Sequence, residues 1–242
     1  MDNWLLFILG AICAGFVQGL TGFAFALIAM SFWIWSLSPQ LAAPLVVFAS
    51  LWSHLITLAK EPAHEMPFSL VMPYLVAGLI GVPVGSYLLN SIQPQLFKMV
   101  LGTFLVVWCP VMYFAPQFPK IQRMGKSADA VVGFAGGILG GLGGFCGAAP
   151  SAWVMLKNLP KDQQRYILRH FNFAIQLVTI VLYLANGTLN QSHLSYIGIL
   201  IITVSIPAVL GAKLFHRISE VQFKRLVLGL LFASGCFILI SA

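Results

Sequence analysis

Residues 136 to 150 read GGILGGLGGFCGAAP, which places seven glycines in fifteen positions in the middle of a strongly apolar stretch. Glycine in a helix interior costs about 0.8 to 1 kcal/mol relative to alanine, so a run this dense nearly breaks any helix built from it. The surrounding composition says what kind of helix is being broken. Of 242 residues 60% are hydrophobic and only 8% charged, and the mean hydropathy is +0.93, far from the composition of a soluble domain. The charged residues fall in short clusters, and the apolar segments between them are long enough for helices that cross about 30 Å of hydrocarbon. The fold class is therefore an all-α polytopic membrane protein.

The net charge of +7 would suggest nucleic acid in a soluble chain. Here the positive residues lie in loops between membrane segments, where they set topology, and no nucleic-acid partner is expected. The start, MDNWLLFILGAICAGF, resembles a signal h-region, yet no Lys or Arg precedes it and it runs on into further membrane sequence. It reads as a retained segment. Cys13, Cys109, Cys146 and Cys236 are scattered, with no CxxC spacing and no histidine partners. They read as small apolar packing residues, so neither a metal nor a cofactor is expected.

The glycine run has an echo. GFVQGLTGF at 15–23 resembles GFAGGILGG at 133–141, with Gly15, Phe16, Gly19 and Gly22 opposite Gly133, Phe134, Gly137 and Gly140 at an offset of 118. Further on, QLFKMVLG at 95–102 resembles QFKRLVLG at 222–229, and GVPVGSYLL at 81–89 resembles SIPAVLGAKLF at 205–215. Internal duplication of this kind is typical of transporter folds. It divides the chain into a first repeat at 1–114, a cytoplasmic linker at 115–128 and a second repeat at 129–242. In the first repeat a Gly-interrupted segment at 4–37 precedes spans at 41–59, 68–89 and 96–114. In the second, a segment at 129–157 precedes spans at 166–185, 193–214 and 221–241.

Charge decides whether the Gly-interrupted segment crosses once or returns. Lys120, Arg123 and Lys126 precede 129–157, and Lys157, Lys161, Arg165 and Arg169 follow it. The positive-inside rule puts both ends in the cytoplasm. One straight helix would put them on opposite sides; a hairpin turning at the glycines puts them together. Counting onward, the uncharged loop NGTLNQSH lies outside, Lys213, Arg217, Lys224 and Arg225 lie inside, and the C-terminus lies outside. Counting backward, Lys60 is inside, Lys98 outside and the N-terminus outside. Twelve of the thirteen Lys and Arg residues then face the cytoplasm. The second half starts on the opposite side from the first, which makes the pair an inverted repeat, each unit a broken or re-entrant helical hairpin plus three transmembrane helices.

Arms of about 14 residues are about 21 Å long and would meet near mid-membrane. Unpaired backbone groups are tolerated at that depth only where buried in protein or lining a watery cavity. Helix N-termini there offer free N–H donors and partial positive charge, and glycines let a ligand approach the backbone. Two such tips would define one central anion site. The same spacings, such as Gly15xxxGly19, Gly81xxxGly85 and Gly136xxxGly140, also let helices pack closely, and the two roles stand side by side.

Away from their ends the spans carry no Asp, Glu, Lys or Arg, whereas proton-coupled transporters commonly use an intramembrane carboxylate. The polar residues left at depth are Gln18, Thr21, Ser50, Ser53, His54, Thr57, Ser151, Asn172, Gln176 and Thr179. Asn172 lies 118 beyond His54, which makes the two candidate symmetry mates; each amide or hydroxyl has as its plainer role a bond to a neighbouring helix. His54 is the one plausible proton carrier among them. Arg165, Arg169 and His170 at the cytoplasmic end of span 166–185 would draw anions in, or serve topology alone.

The paired motifs, GFVQGLTGFAFALIA and GGILGGLGGFCGAAPSAWVMLKNLPKDQQRYILRHFNFA, resemble the TauE/SafE family, the sulfite exporter or TSUP group of bacterial inner-membrane permeases, over essentially the whole chain. The resemblance implies a bacterial inner-membrane location and transport of small sulfur-containing or organic anions. Residue by residue it points to Gly19, Thr21 and Gly22 in the first motif, and to Gly140, Gly143, Gly144 and Asn172 in the second. With the polar residues Gln18, His54, Ser151 and Gln176 these make up the candidate substrate site. Two departures stand out: Phe23-Ala24-Phe25-Ala26 where relatives commonly carry more glycine, and His54 where asparagine is frequent.

The expected function is a transporter or exporter of a small anion, most simply sulfite or a sulfonate, and the alternative is a channel-like facilitator for another small anion. The partners are the anion, the bilayer and, compatibly, a second copy in a homodimer. An intramembrane serine protease would need a serine and a histidine facing one another at matched depth, and Ser53 and His54, being adjacent, point to different helix faces. A non-transporting scaffold would lack a continuous polar path.

Overall fold

The computed structural model describes residues 2–60, 66–114, 125–157 and 159–214, and after them 228–229, 231–233, 235–236 and 238–240. Among these residues the chain is helical without strands, and six of the helices are long and apolar enough to cross a membrane. It is a multi-pass membrane protein. The positions read as linker at 115–124, the start of the last span at 221–227, and the charges Lys120, Arg123, Arg217, Lys224 and Arg225 lie outside the described residues.

Two helical hairpins open the two halves. The first is α1 (Asp2–Thr21) and α2 (Phe25–Trp33), and it is followed by α3 (Pro39–Lys60), α4 (Met72–Ser91) and α5 (Pro94–Phe114). The second is α6 (Lys126–Gly143) and α7 (Ala148–Leu156), followed by α8 (Lys161–Ala185), α9 (Leu194–Leu214) and the helical residues between 228 and 240. The arms are unequal. Where two arms of about 14 residues are expected from the sequence, each long arm of 20 or 18 residues is answered by a short one of 9, about 14 Å long.

The base of each hairpin is pinned, by different chemistry. In the first, the Trp33 indole N–H donates to the Phe7 carbonyl at 3.0 Å and the two rings stack with centroids 4.7 Å apart. In the second, Lys157 at the end of α7 bonds both carboxylate oxygens of Asp129 at 2.9 Å. Asp129 is buried, and it also accepts from Tyr74 Oη at 2.8 Å and Trp153 Nε1 at 2.7 Å. A buried carboxylate is tolerable only when paired and hydrogen-bonded in this way. The single carboxylate thereby joins α4, α6 and α7.

Each long arm packs on a helix of the other half, backbone against backbone. On α9, a Cβ at Gly15 would lie 3.2 Å from the Val204 carbonyl, and one at Gly19 would collide with that of Ala208; from the other side Gly211 faces the Phe16 carbonyl. On α4, Gly137 meets the carbonyl of Gly78 and Gly141 that of Val82, while Gly85 meets that of Ile138. The two contacts are the same contact made twice. Gly15, Gly19 and Phe16 correspond to Gly137, Gly141 and Ile138, each 122 residues on, and Val204, Ala208 and Gly211 to Gly78, Val82 and Gly85.

The glycine contacts of the two hairpins thus correspond at an offset of 122, where the sequence reading has 118. The reason lies in the glycines. Gly133, Gly137 and Gly141, and again Gly136, Gly140 and Gly144, recur every four residues, so a slip of one helical turn still lays glycine on glycine. At 122, GFVQGLTGF matches GILGGLGGF at 137–145, and Phe23 falls on Phe145. Carried on to α3 and α8, the two offsets pair His54 differently: with Asn172 at 118, and at 122 as follows. His54 aligns with Gln176, Ser50 with Asn172 and Thr57 with Thr179. The last pair behaves alike, each threonine hydroxyl bonding back to the carbonyl four residues earlier.

Candidate functional site

The candidate site lies where the two hairpin turns meet. α1 ends at Gly22, whose N–H donates to the Gln18 carbonyl at 2.7 Å and whose φ is +82°; α6 ends at Gly144, with φ +80°. These two positions require glycine, because a Cβ there meets the following carbonyl oxygen. Behind each turn a short helix begins with a residue that cannot cap it. Ala24 precedes α2 and Gly147 precedes α7, and neither N-terminus has a side-chain cap. Ala24, Phe25, Gly147 and Ala148 are all buried. Two helix N-termini, each an end of positive partial charge, are thus held inside the protein.

Asn172 on α8 lies between the turns. Its Nδ2 donates to the Gly22 carbonyl at 3.4 Å, and a Cβ on Gly147 would come within 2.8 Å of the same nitrogen and 3.1 Å of Oδ1. One helical turn further along, Gln176 joins a chain of bonds across the centre. Gln18 Nε2 donates to the Ser50 carbonyl, Ser50 Oγ donates to Gln18 Oε1, and Gln176 Nε2 donates to Ser50 Oγ, all at 2.7 Å. Gln176 Nε2 also lies 3.6 Å from Cys146 Sγ. First hairpin, α3, α8 and second turn are therefore linked through four side chains.

Some buried polar atoms here have no partner among the described residues: Ser53 Oγ, His54 Nε2, Asn172 Oδ1 and Gln176 Oε1. Buried polar groups are nearly always satisfied, so a cluster of exceptions asks for an explanation. Positive charge is at hand. Arg169 and His170 lie close enough to His54 to act on it electrostatically, and Arg165 Cγ is 4.0 Å from the position of a Cβ on Gly22. Arg165, Arg169, Asn172 and Gln176 follow one another at spacings of four, three and four, which places them along one face of α8.

A family model for the sulfite exporter TauE/SafE matches residues 7–238. The chain belongs to the TauE/SafE family. Comparison with curated proteins and with solved structures returned no match. As a TauE/SafE protein it is a membrane transporter. Family and spans support a small anionic substrate and the bilayer as partners; they lend nothing to a homodimer.

Within this TauE/SafE chain the expected residues separate into two groups. Gln18, Gly22, Asn172, Gln176 and Gly144 stand at the turns or in the bonded chain between them, and His54 stands one helical turn beyond Ser50. The others are engaged in packing or local bonds. Gly19 faces the backbone of α9, Gly140 lies under Ile175 and Cys146, and Gly143 lies under the Phe145 ring. Thr21 Oγ1 bonds the Val17 carbonyl at 2.8 Å and Ser151 Oγ that of Ala148 at 2.9 Å.

Sequence reasoning passed over Phe23, Ser50, Cys146 and Gly147 as site residues, and Asp129 as a buried charge. Signals for several were present. The GF pair at 22–23 and 144–145 marks both turns, Ser50 aligns with Asn172 at an offset of 122, and Asp129 and Lys157 stand at opposite ends of one hairpin.

Proposed function

We propose that this TauE/SafE protein moves a small oxidised-sulfur or organic anion through a central site between the two hairpin turns, with Gly22, His54, Gly144, Gly147, Asn172 and Gln176 at the site. The observation that carries the reading is the meeting of both turns at Asn172, which bonds the first and lies against the second. Two buried helix N-termini and the cationic end of α8 supply the positive potential an anion needs, without a fixed countercharge that would hold it too tightly to leave. The halves are read as inverted repeats, with the base of the second hairpin and the start of α8 cytoplasmic and the base of the first hairpin on the opposite side.

An inside-negative potential drives an anion outward by about 2.3 kcal/mol per charge per 100 mV. Export or facilitated movement therefore needs no coupling carboxylate, and the buried Asp129 is already committed to Lys157, Tyr74 and Trp153. The test is flux of labelled sulfite in proteoliposomes. Flux should follow an imposed voltage and ignore a pH gradient, and Asn172→Leu should weaken it. A strict proton requirement overturns the uncoupled reading and directs attention to His54. Flux that is unchanged in Asn172→Leu removes the site from between the turns.

A further inference from the structure

The central bond chain dictates which way each amide faces. The Ser50 carbonyl can only accept, so Gln18 must present its NH2 there and its Oε1 to the Ser50 hydroxyl. That hydroxyl has one proton, and it goes to Gln18 Oε1. Towards Gln176 it can then only accept, which obliges Gln176 to present Nε2 and leaves Oε1 on the far side. Asn172 is oriented by the same logic, because the Gly22 carbonyl requires Nδ2. Asn172 Oδ1 and Gln176 Oε1 are thus both oriented as hydrogen-bond acceptors. Each side chain is at least nine-tenths buried, at 0% and 2% exposure, and among the described residues neither oxygen has a donor.

We infer that the transported species is an anion that carries its own N–H or O–H donor, recognised by Asn172 Oδ1 and Gln176 Oε1, and that an oxyanion with acceptors alone is the poorer ligand. This rests on the anion-carrier reading above and narrows its substrate class. Along the face of α8 the order Arg165, Arg169, Asn172, Gln176 runs from cations to acceptors. A ligand laid along it puts its anionic group towards the arginines and its ammonium or hydroxyl towards Gln176. A bare oxyanion at Asn172 and Gln176 would set oxygen against oxygen and leave two buried acceptors unpaired, the arrangement by which binding sites reject analogues lacking a hydroxyl or amine.

Three sulfonates share one two-carbon chain and differ only in the group on the far carbon: ethanesulfonate has a hydrogen there, 2-hydroxyethanesulfonate an O–H and 2-aminoethanesulfonate an N–H donor. Affinities of the purified full-length protein for the three, from titration calorimetry, decide the matter in the wild type alone. The hydroxyl or amino compound should bind at least tenfold tighter than ethanesulfonate. Gln176→Met, which keeps the volume and removes the acceptor, should bring that ratio close to one, and so should Asn172→Leu if the first variant does not fold. Equal or tighter binding of ethanesulfonate overturns the inference and leaves the carrier reading intact, as does a ratio that survives both substitutions. Binding of none of the three overturns the inference, and absence of sulfite flux as well brings down the carrier reading with it.

Discussion

Gly147→Ala should disable the site while leaving the fold in place. Gly147 has φ −75°, an ordinary value for alanine, so backbone strain plays no part. What the new methyl meets is the opposite turn. It would lie 2.7 Å from Phe23 Cβ and 2.8 Å from Asn172 Nδ2, against an optimal carbon contact of about 3.5 to 4 Å. The turns must separate by roughly 1 Å, and the weakest bond between them, Asn172 to the Gly22 carbonyl at 3.4 Å, has no slack to follow. Overpacking of this kind costs about 1 to 3 kcal/mol, and if that cost falls on the bound state, affinity drops about 5- to 150-fold. Flux of labelled anion in proteoliposomes at matched protein density measures it. Gly198→Ala is the control, since a Cβ there meets nothing within 4 Å. Wild-type flux from Gly147→Ala would show that the two turns do not bound the site, and equal losses from both variants would make the effect unspecific.

The remaining expectations concern the scaffold. Gly22→Ala and Gly144→Ala both force alanine into left-handed angles at about 1 to 2 kcal/mol, but only Gly144 also crowds a neighbour, with Val46 Cγ1 at 3.0 Å. Melting in detergent should therefore fall further for Gly144→Ala, and the reverse order would mean that the Gly22 turn is the more rigid. Lys157→Met should destabilise by about 3 kcal/mol by stranding the Asp129 carboxylate, and adding Asp129→Asn should restore part of the loss; strictly additive losses would show that the pair is not coupled. Trp33→Phe keeps an aromatic ring against Phe7 but removes the bond to its carbonyl, at about 1 kcal/mol, and part of the buried ring volume, at about 1 kcal/mol or more. No change in melting would mean that the carbonyl has another donor.

How much of this was readable beforehand can be judged from particular residues. The sequence marks the glycine run 136–150 as the place where a helix breaks, and within it Gly144 ends α6 in a left-handed turn. The neighbouring glycines were harder to apportion. Gly137 and Gly141 serve the contact with α4, Gly136 and Gly140 the contact with Phe171, Ile175 and Cys146, and Gly147 the approach of Phe23. One residue type answers four different neighbours, and the sequence carries no mark of which neighbour each glycine has. The same sameness concealed the repeat register, because a slip of four still matches glycine to glycine.

What the sequence by itself determined is the solvent and the class: the apolar run lengths demand membrane-crossing helices, the glycine-interrupted segments mark where two of them break, and the paired motifs mark the family. Those are properties of local composition, and local composition is all a linear reading weighs. The tertiary structure alone decided that Asn172 lies between two turns, that Ser50 orients Gln176, and that Asp129 is buried against Lys157. Each of these depends on which polar group meets which across 28 to 150 residues of chain. In hydrocarbon an unpaired polar group is costly wherever it lies, so the bonds are made by whichever helices packing brings together.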